Sequence, residues 1–180
     1  MRRVALVAAV LGAVLALAAL WWRGHGTPAP IVAVAPDTSA GAGVQSATLY
    51  FASPDGEALV SEPREVLQSD DLHERVATLL AQLDRGSKRG GVSVLPPGTA
   101  LRQVFIDNDG LLTVDLTSAF RRGFQGGSAT EYMALASLVR TLSANMPEVK
   151  RVLVVCAGRP IETLGGHLPL DQPLDVNDWP

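Results

Sequence analysis

The chain has 180 residues, with 15 Lys and Arg against 18 Asp and Glu, for a formal net charge of −3. No basic stripe interleaved with aromatics runs along it, which speaks against nucleic-acid binding, since phosphate contacts need a positive surface. Its single cysteine, Cys156, excludes both an intramolecular disulfide and a cysteine metal cluster.

Arg2 and Arg3 precede an apolar run from Val4 to Trp22. About 19 residues at 1.5 Å each match the roughly 30 Å of a bilayer core. Residues 1–23 therefore read as a transmembrane anchor, with the membrane contact made by residues 4–22. The basic pair stays in the cytoplasm, so the chain is expected to be single-pass in the bacterial inner (cytoplasmic) membrane, with its domain on the extracytoplasmic, periplasmic side. Trp21, Trp22 and Arg23 stand where an aromatic belt and a snorkelling cation mark the far interface. The competing reading is a cleaved signal peptide with Ala16-Leu17-Ala18 as its A-x-A site. The apolar run continues past that site, which favours the anchor, and both readings export the domain. Residues 24–46 form a Pro/Ala/Gly linker without helical or alternating period. What remains, residues 47–180, is enough for one domain with one core.

Ala47–Ala52 is expected as a strand, followed by a Ser53-Pro54-Asp55-Gly56 turn and a second strand over Ala58–Leu67. Pro63 cannot donate a ladder bond, so that second strand is irregular or at an edge. Asp71-x-x-Glu74 opens a helix whose Leu72, Val76, Leu79, Leu80 and Leu83 share one face, and Gly86 stops it. Leu101–Leu116 reads as a hairpin around Asp107-Asn108-Asp109-Gly110. Gly123–Gly127 is a loop. Ser128-x-x-Glu131 has the form of a capping box for a second helix, with Tyr132, Leu135, Ala136, Val139, Leu142 and Met146 buried. Val152–Cys156 is a continuous apolar strand, hence central, with Cys156 a buried small hydrophobe. Ala157-Gly158 turns into a last strand over Arg159–Leu164 that runs into a double glycine.

The order ββ-α-ββ-α-ββ, with two amphipathic helices that need a sheet to bury against, predicts an α+β fold. The expected architecture is a two-layer sandwich, both helices on one face of a mixed, mostly antiparallel sheet.

Five motifs in order carry a family resemblance. They are Leu95-Pro96-Pro97-Gly98-Thr99, then Val114-Asp115-Leu116 followed by Phe120, then Gly126-Gly127-Ser128, then Val149-x-x-Val152, and finally Glu162-Thr163-Leu164-Gly165-Gly166-His167-Leu168-Pro169-Leu170-Asp171-Gln172-Pro173-Leu174. Over roughly residues 47–175 the chain resembles the GerMN domain, a family of bacterial sporulation, spore-germination and envelope proteins. The resemblance implies a small α+β module and a sporulation or germination context. Two departures stand out. Ala157 occupies a position where members often carry Asp or Asn, and no Cys follows the N-terminal apolar segment, although many members are lipoproteins.

His167, directly after Gly165 and Gly166, invites a catalytic reading as the one plausible base, with Asp171 close in sequence. No G-x-S-x-G elbow accompanies them, and paired glycines also serve where the backbone needs positive φ or a close approach. The spacing of His167, Asp171 and Asp175 fits no metal template. Asp115 at a strand end is expected to accept hydrogen bonds in a turn or cap. Gly126 and Gly127 before a helix could cradle an anion, but the loop lacks the Lys and length of a P-loop. Arg121 and Arg122 make a short basic spot. The tail from Leu168 to Pro180 either wraps over the domain and covers an edge or presents Trp179 as an interface anchor.

The resulting expectation is a protein that is not an enzyme and needs no cofactor or metal. It binds an envelope protein partner or itself as an assembly module. The alternative is an envelope protein that binds or modifies peptidoglycan.

Overall fold

A computed structural model describes residues 43–180. The expected membrane anchor and most of the linker lie outside the described residues. Among those described, no helix is long and apolar enough to cross a membrane. Ala42–Pro180 form one compact unit.

Strand β1 (Val44–Ala52) pairs antiparallel with β2 (Leu59–Leu67), Thr48 opposite Pro63. β2 pairs with β1 alone, so the proline sits on an edge strand in regular register. The turn between them is built by Ser53, whose N–H donates to Ala58 O (2.8 Å) and whose hydroxyl binds the Asp55 carboxylate. The strand reverses the usual alternation: Glu62 and Arg64 point inward with Val66, while Val60 and Leu67 are exposed.

Helix α1 (Leu72–Asp84) starts at Asp71, whose carboxylate accepts from Glu74 N at 2.8 Å. The capping box closes through a third residue. Ser69 Oγ accepts from Asp71 N (3.1 Å) and donates to the Glu74 carboxylate (2.7 Å). Val76, Leu79, Leu80 and Leu83 are buried, as their spacing requires.

Strands β3 (Leu101–Ile106) and β4 (Leu111–Leu116) form the expected hairpin; Asp107 Oδ1 accepts from the N–H groups of Asp109 and Leu111, both at 2.9 Å. A short helix, α2 (Ala119–Arg122), buries Phe120. Helix α3 (Ser128–Asn145) then leads to β5 (Arg151–Cys156), which lies parallel to β4. β5 is central, as its apolar run implies: β4 occupies one edge, and β6 (Arg159–Pro160) and β7 (Leu174–Asp175) pair antiparallel along the other. A 3-10 turn, Val176–Asp178, follows.

The class is α+β, but three sequence expectations are corrected. The expected single sheet is two, β1-β2 and the five-stranded β3-β4-β5-β6 with β7; an isolated Ala52–Val92 bridge joins β1 to the segment between α1 and β3, not to the larger sheet. The cause lies on α3. Ser137 Oγ donates to Tyr50 O (2.6 Å), and Thr141 Oγ1 accepts from Tyr50 N (3.0 Å). Asn145 takes both sides of Thr48, accepting from N at 2.9 Å and donating to O at 2.7 Å. Residues at i, i+4 and i+8 of one helix face thus replace a neighbouring strand along the edge of β1. The helix is consequently buried well beyond its expected stripe, with Met133, Ala134 and Leu138 also inside.

The second correction concerns the strand expected over Arg159–Leu164, which ends at Pro160. Beyond it Ile161 and Leu164 both enter the core, a spacing that breaks alternation. Third, Ser128 is not a cap. Gly127 is the N-cap, without a side-chain bond, and Glu131 turns away from the helix start.

Candidate functional site

Glu131 lies in the first turn of α3, and its side chain is 0 % exposed. Oε1 accepts from Leu164 N (3.1 Å) and Gly165 N (2.8 Å), and Oε2 from His167 N (3.0 Å). Oε2 also lies 3.0 Å from His167 Nδ1. Burial pushes the carboxyl pKa up, but the donors from Gly165 and His167 outweigh it and hold the group below its ordinary range. An ionised carboxylate only accepts, so Nδ1 carries the proton and Nε2 is the free nitrogen. The ring is about half exposed, and among the described residues it makes no other hydrogen bond.

The two glycines divide the labour. A Cβ on Gly165 would come within 2.5 Å of the Phe124 ring and 3.1 Å of Glu131 Oε2, so close approach requires glycine there. Gly166 has φ +99°, a conformation side chains rarely adopt. Asp171 does not join the site. It is exposed and makes no hydrogen bond among the described residues; the carboxylate that meets His167 is that of Glu131, 36 positions away in sequence.

Asp115 is the turn acceptor its place implied. Oδ1 accepts from Gly158 N (2.9 Å) and Oδ2 pairs with Arg102 (3.0 Å). Ala157 in the same turn adopts φ +53°, among the described residues the only non-glycine with positive φ. Gly126 packs so closely on Thr130 that a Cβ would lie 2.6 Å from its side chain, whereas a Cβ on Gly127 would meet open space. The tail wraps the domain: Leu170 is buried, and Leu168, Leu174, Val176 and Trp179 pack on the core. Trp179 stacks on Tyr132, ring centroids 5.1 Å apart, and is thereby part of the cover.

A carboxylate-held imidazole is half of a hydrolytic triad. Among the described residues no hydroxyl or thiol is bonded to it, and the Cys156 thiol contacts Thr117 O at 3.5 Å. No group of three or more His, Cys, Asp or Glu side chains able to hold a metal occurs among the described residues. A separate groove of about 590 Å³ lies between the Ser53–Gly56 turn and Phe124–Gln125, with Thr130 and Met133 in its wall.

Two features escaped the sequence reading. Glu131 sits four residues before Leu135 and eight before Val139, on the buried stripe itself; a charge there signals a buried anchor rather than a cap. The inward Glu62–Arg64 pair alternates with Val66, a weaker signal of the same kind.

The fold and this loop define a small α+β module in which a helix-borne carboxylate clamps a Gly-Gly-His turn. The chain belongs to the Germane family, described as "Sporulation and spore germination", which matches residues 48–162. No curated protein matches the sequence. Among solved structures it is similar to the tandem GerMN domains of the sporulation protein GerM from Bacillus subtilis, with TM-score 0.62 and 20% identity, covering 76% of this chain and 48% of that one. The first GerMN domain of GerM alone gives TM-score 0.59 and 19% identity, with 73% and 97% covered. A protein of Clostridium perfringens classed as a lipoprotein gives TM-score 0.53 and 22% identity, with 76% and 90% covered.

Proposed function

We propose that this chain is a non-enzymatic, membrane-anchored extracytoplasmic protein. Its GerMN domain binds or assembles with another envelope protein in a sporulation or germination setting. The observation that carries the reading is the Glu131 clamp. The carboxylate that could activate His167 is engaged by four donors of one loop, so the site's polar groups are used to fix backbone shape. The apolar run Val4–Trp22 supports the anchor, and the likeness to a protein classed as a lipoprotein supports an envelope location. Crosslinking in the native membrane is expected to capture a protein partner. A folded variant with His167→Ala and Asp171→Ala is expected to retain function; loss of function without loss of fold would overturn the non-enzymatic reading.

The groove beside Phe124 favours a second reading. It combines an aromatic ring with Ser53, Asp55, Gln125 and Thr130, the mixture that sugar recognition uses. Retention of the domain on purified cell-wall sacculi would support peptidoglycan as the ligand over a protein partner.

A further inference from the structure

Two charged side chains of β2 are turned inward, which costs solvation unless both are fully paired. Arg64 and Glu62 are 5% and 4% exposed and lie 2.6 Å apart. Apart from a bond from Arg64 Nη1 to Gln82 Oε1 on α1 (3.3 Å), their remaining bonds converge on one surface loop, Arg85–Gly91. Glu62 accepts from Ser87 Oγ (2.7 Å) and Lys88 N (3.0 Å), and Arg64 donates to Gly86 O (2.8 Å). Ser87 Oγ in turn accepts from Arg89 N (3.0 Å) and Gly91 N (2.9 Å). Gly91 is wedged so that a Cβ would lie 2.8 Å from Phe51 Cβ. A buried ion pair therefore holds a loop whose own outward side chains are three cations.

Arg85, Lys88 and Arg89 are exposed, and among the described residues none of them pairs with a carboxylate. With Pro63, Glu65 and Gln82 they rim a shallow hollow of about 420 Å³. Because Arg64 is neutralised by Glu62, Glu65 is the only acid of the rim facing three positive charges. We propose that this loop docks on the phosphate headgroups of anionic phospholipids. The backbone N–H of Lys88 is taken by Glu62, and those of Arg89 and Gly91 by Ser87 Oγ, so no run of consecutive free N–H groups is left to nest a single small anion. Recognition falls to charges spread over a rigid rim, which matches a surface displaying many phosphates.

The choice of lipid rests on the reading that the domain stands beside a membrane. The test separates the two ideas by using residues 43–180, which lack the apolar segment, contain their own core and pair all their strands among themselves. This fragment should sediment with vesicles of equimolar phosphatidylglycerol and phosphatidylcholine and not with phosphatidylcholine alone. The variant Arg85→Gln/Lys88→Gln/Arg89→Gln should partition about a hundredfold less, each basic residue at an anionic surface being worth about a factor of five. Arg121→Gln/Arg122→Gln, which removes charge elsewhere, should partition like the wild type. Equal binding by the triple variant, or equal loss in the double variant, would overturn the assignment. So would displacement by inorganic phosphate at an ionic strength where chloride has no effect, since that would mark a small-anion site. Fractionation of the full chain tests the anchor independently.

Discussion

Glu131 Oε2 and His167 Nδ1 lie 3.0 Å apart, joining the start of α3 to the loop that follows β6, and the same oxygen also accepts from His167 N. This pairing ties the C-terminal third of the domain to its longest helix. Replacing Glu131 by Gln leaves an amide N–H₂ facing donors, so two of the four N–H groups lose an acceptor. The expected cost is about 2–4 kcal/mol in urea unfolding. His167→Ala removes only one half-exposed bond and should cost less than about 1 kcal/mol. Equal costs for the two would mean that the backbone donors contribute little.

Stability should fall in acid, and Glu62 sets the clearest window. Burial raises its pKa, but the Ser87 hydroxyl, Arg64 and Lys88 N–H overcome that and bring it from 4.5 to about 2. A carboxyl lowered on folding stabilises the fold fully above its unfolded value and loses that contribution as pH falls towards its folded one. The wild type should therefore lose about 3 kcal/mol from this group between about pH 4.5 and pH 2. Glu131, lowered likewise, adds to the slope in the same direction. Unfolding titrations of Glu62→Gln should show a visibly shallower acid limb than the wild type.

Ala157 holds φ +53° in the turn between β5 and β6, with Gly158 at +77° after it. Two successive positive φ values are those of a type I′ hairpin turn, which favours Asn-Gly. Ala157→Asn should therefore stabilise the domain by about 0.5–1 kcal/mol. A melting temperature unchanged or lowered in this variant would show that the alanine is not strained.

The helix-borne ladder along β1 can be read by hydrogen exchange. Asn145→Ala leaves both Thr48 N and Thr48 O without their partner and should cost about 2–3 kcal/mol. Thr141→Val, close in shape, should expose the Tyr50 amide alone. Faster exchange confined to Thr48 in the first variant and to Tyr50 in the second is the expected signature.

The sequence was most legible where periodicity spoke of one environment. Val76, Leu79, Leu80 and Leu83 follow a helical face, and Leu112, Val114 and Leu116 alternate; all are buried as their spacing requires. It misled where side chains did the work of backbone. Nothing local tells that a strand edge lies against Ser137, Thr141 and Asn145, whose side chains bond it. Glu131 read as half of a capping box for the same reason: its partners are more than thirty residues away. The double glycine was legible as a need, close approach or positive φ, and each residue meets one of the two. The weak strand at Arg159–Pro160 was overestimated because a tail residue, Leu174, takes over the β5 edge.

That tail has a practical consequence. Leu174 and Asp175 lie against Val152 and Arg151, and Val176 N donates to Lys150 O at 3.0 Å. Clipping the last seven residues would bare the flank of the central strand and remove the indole lid over Tyr132. A truncated product should therefore self-associate into insoluble fibres, and a fluorescent fusion is better joined through a generous spacer than abutted to Pro180.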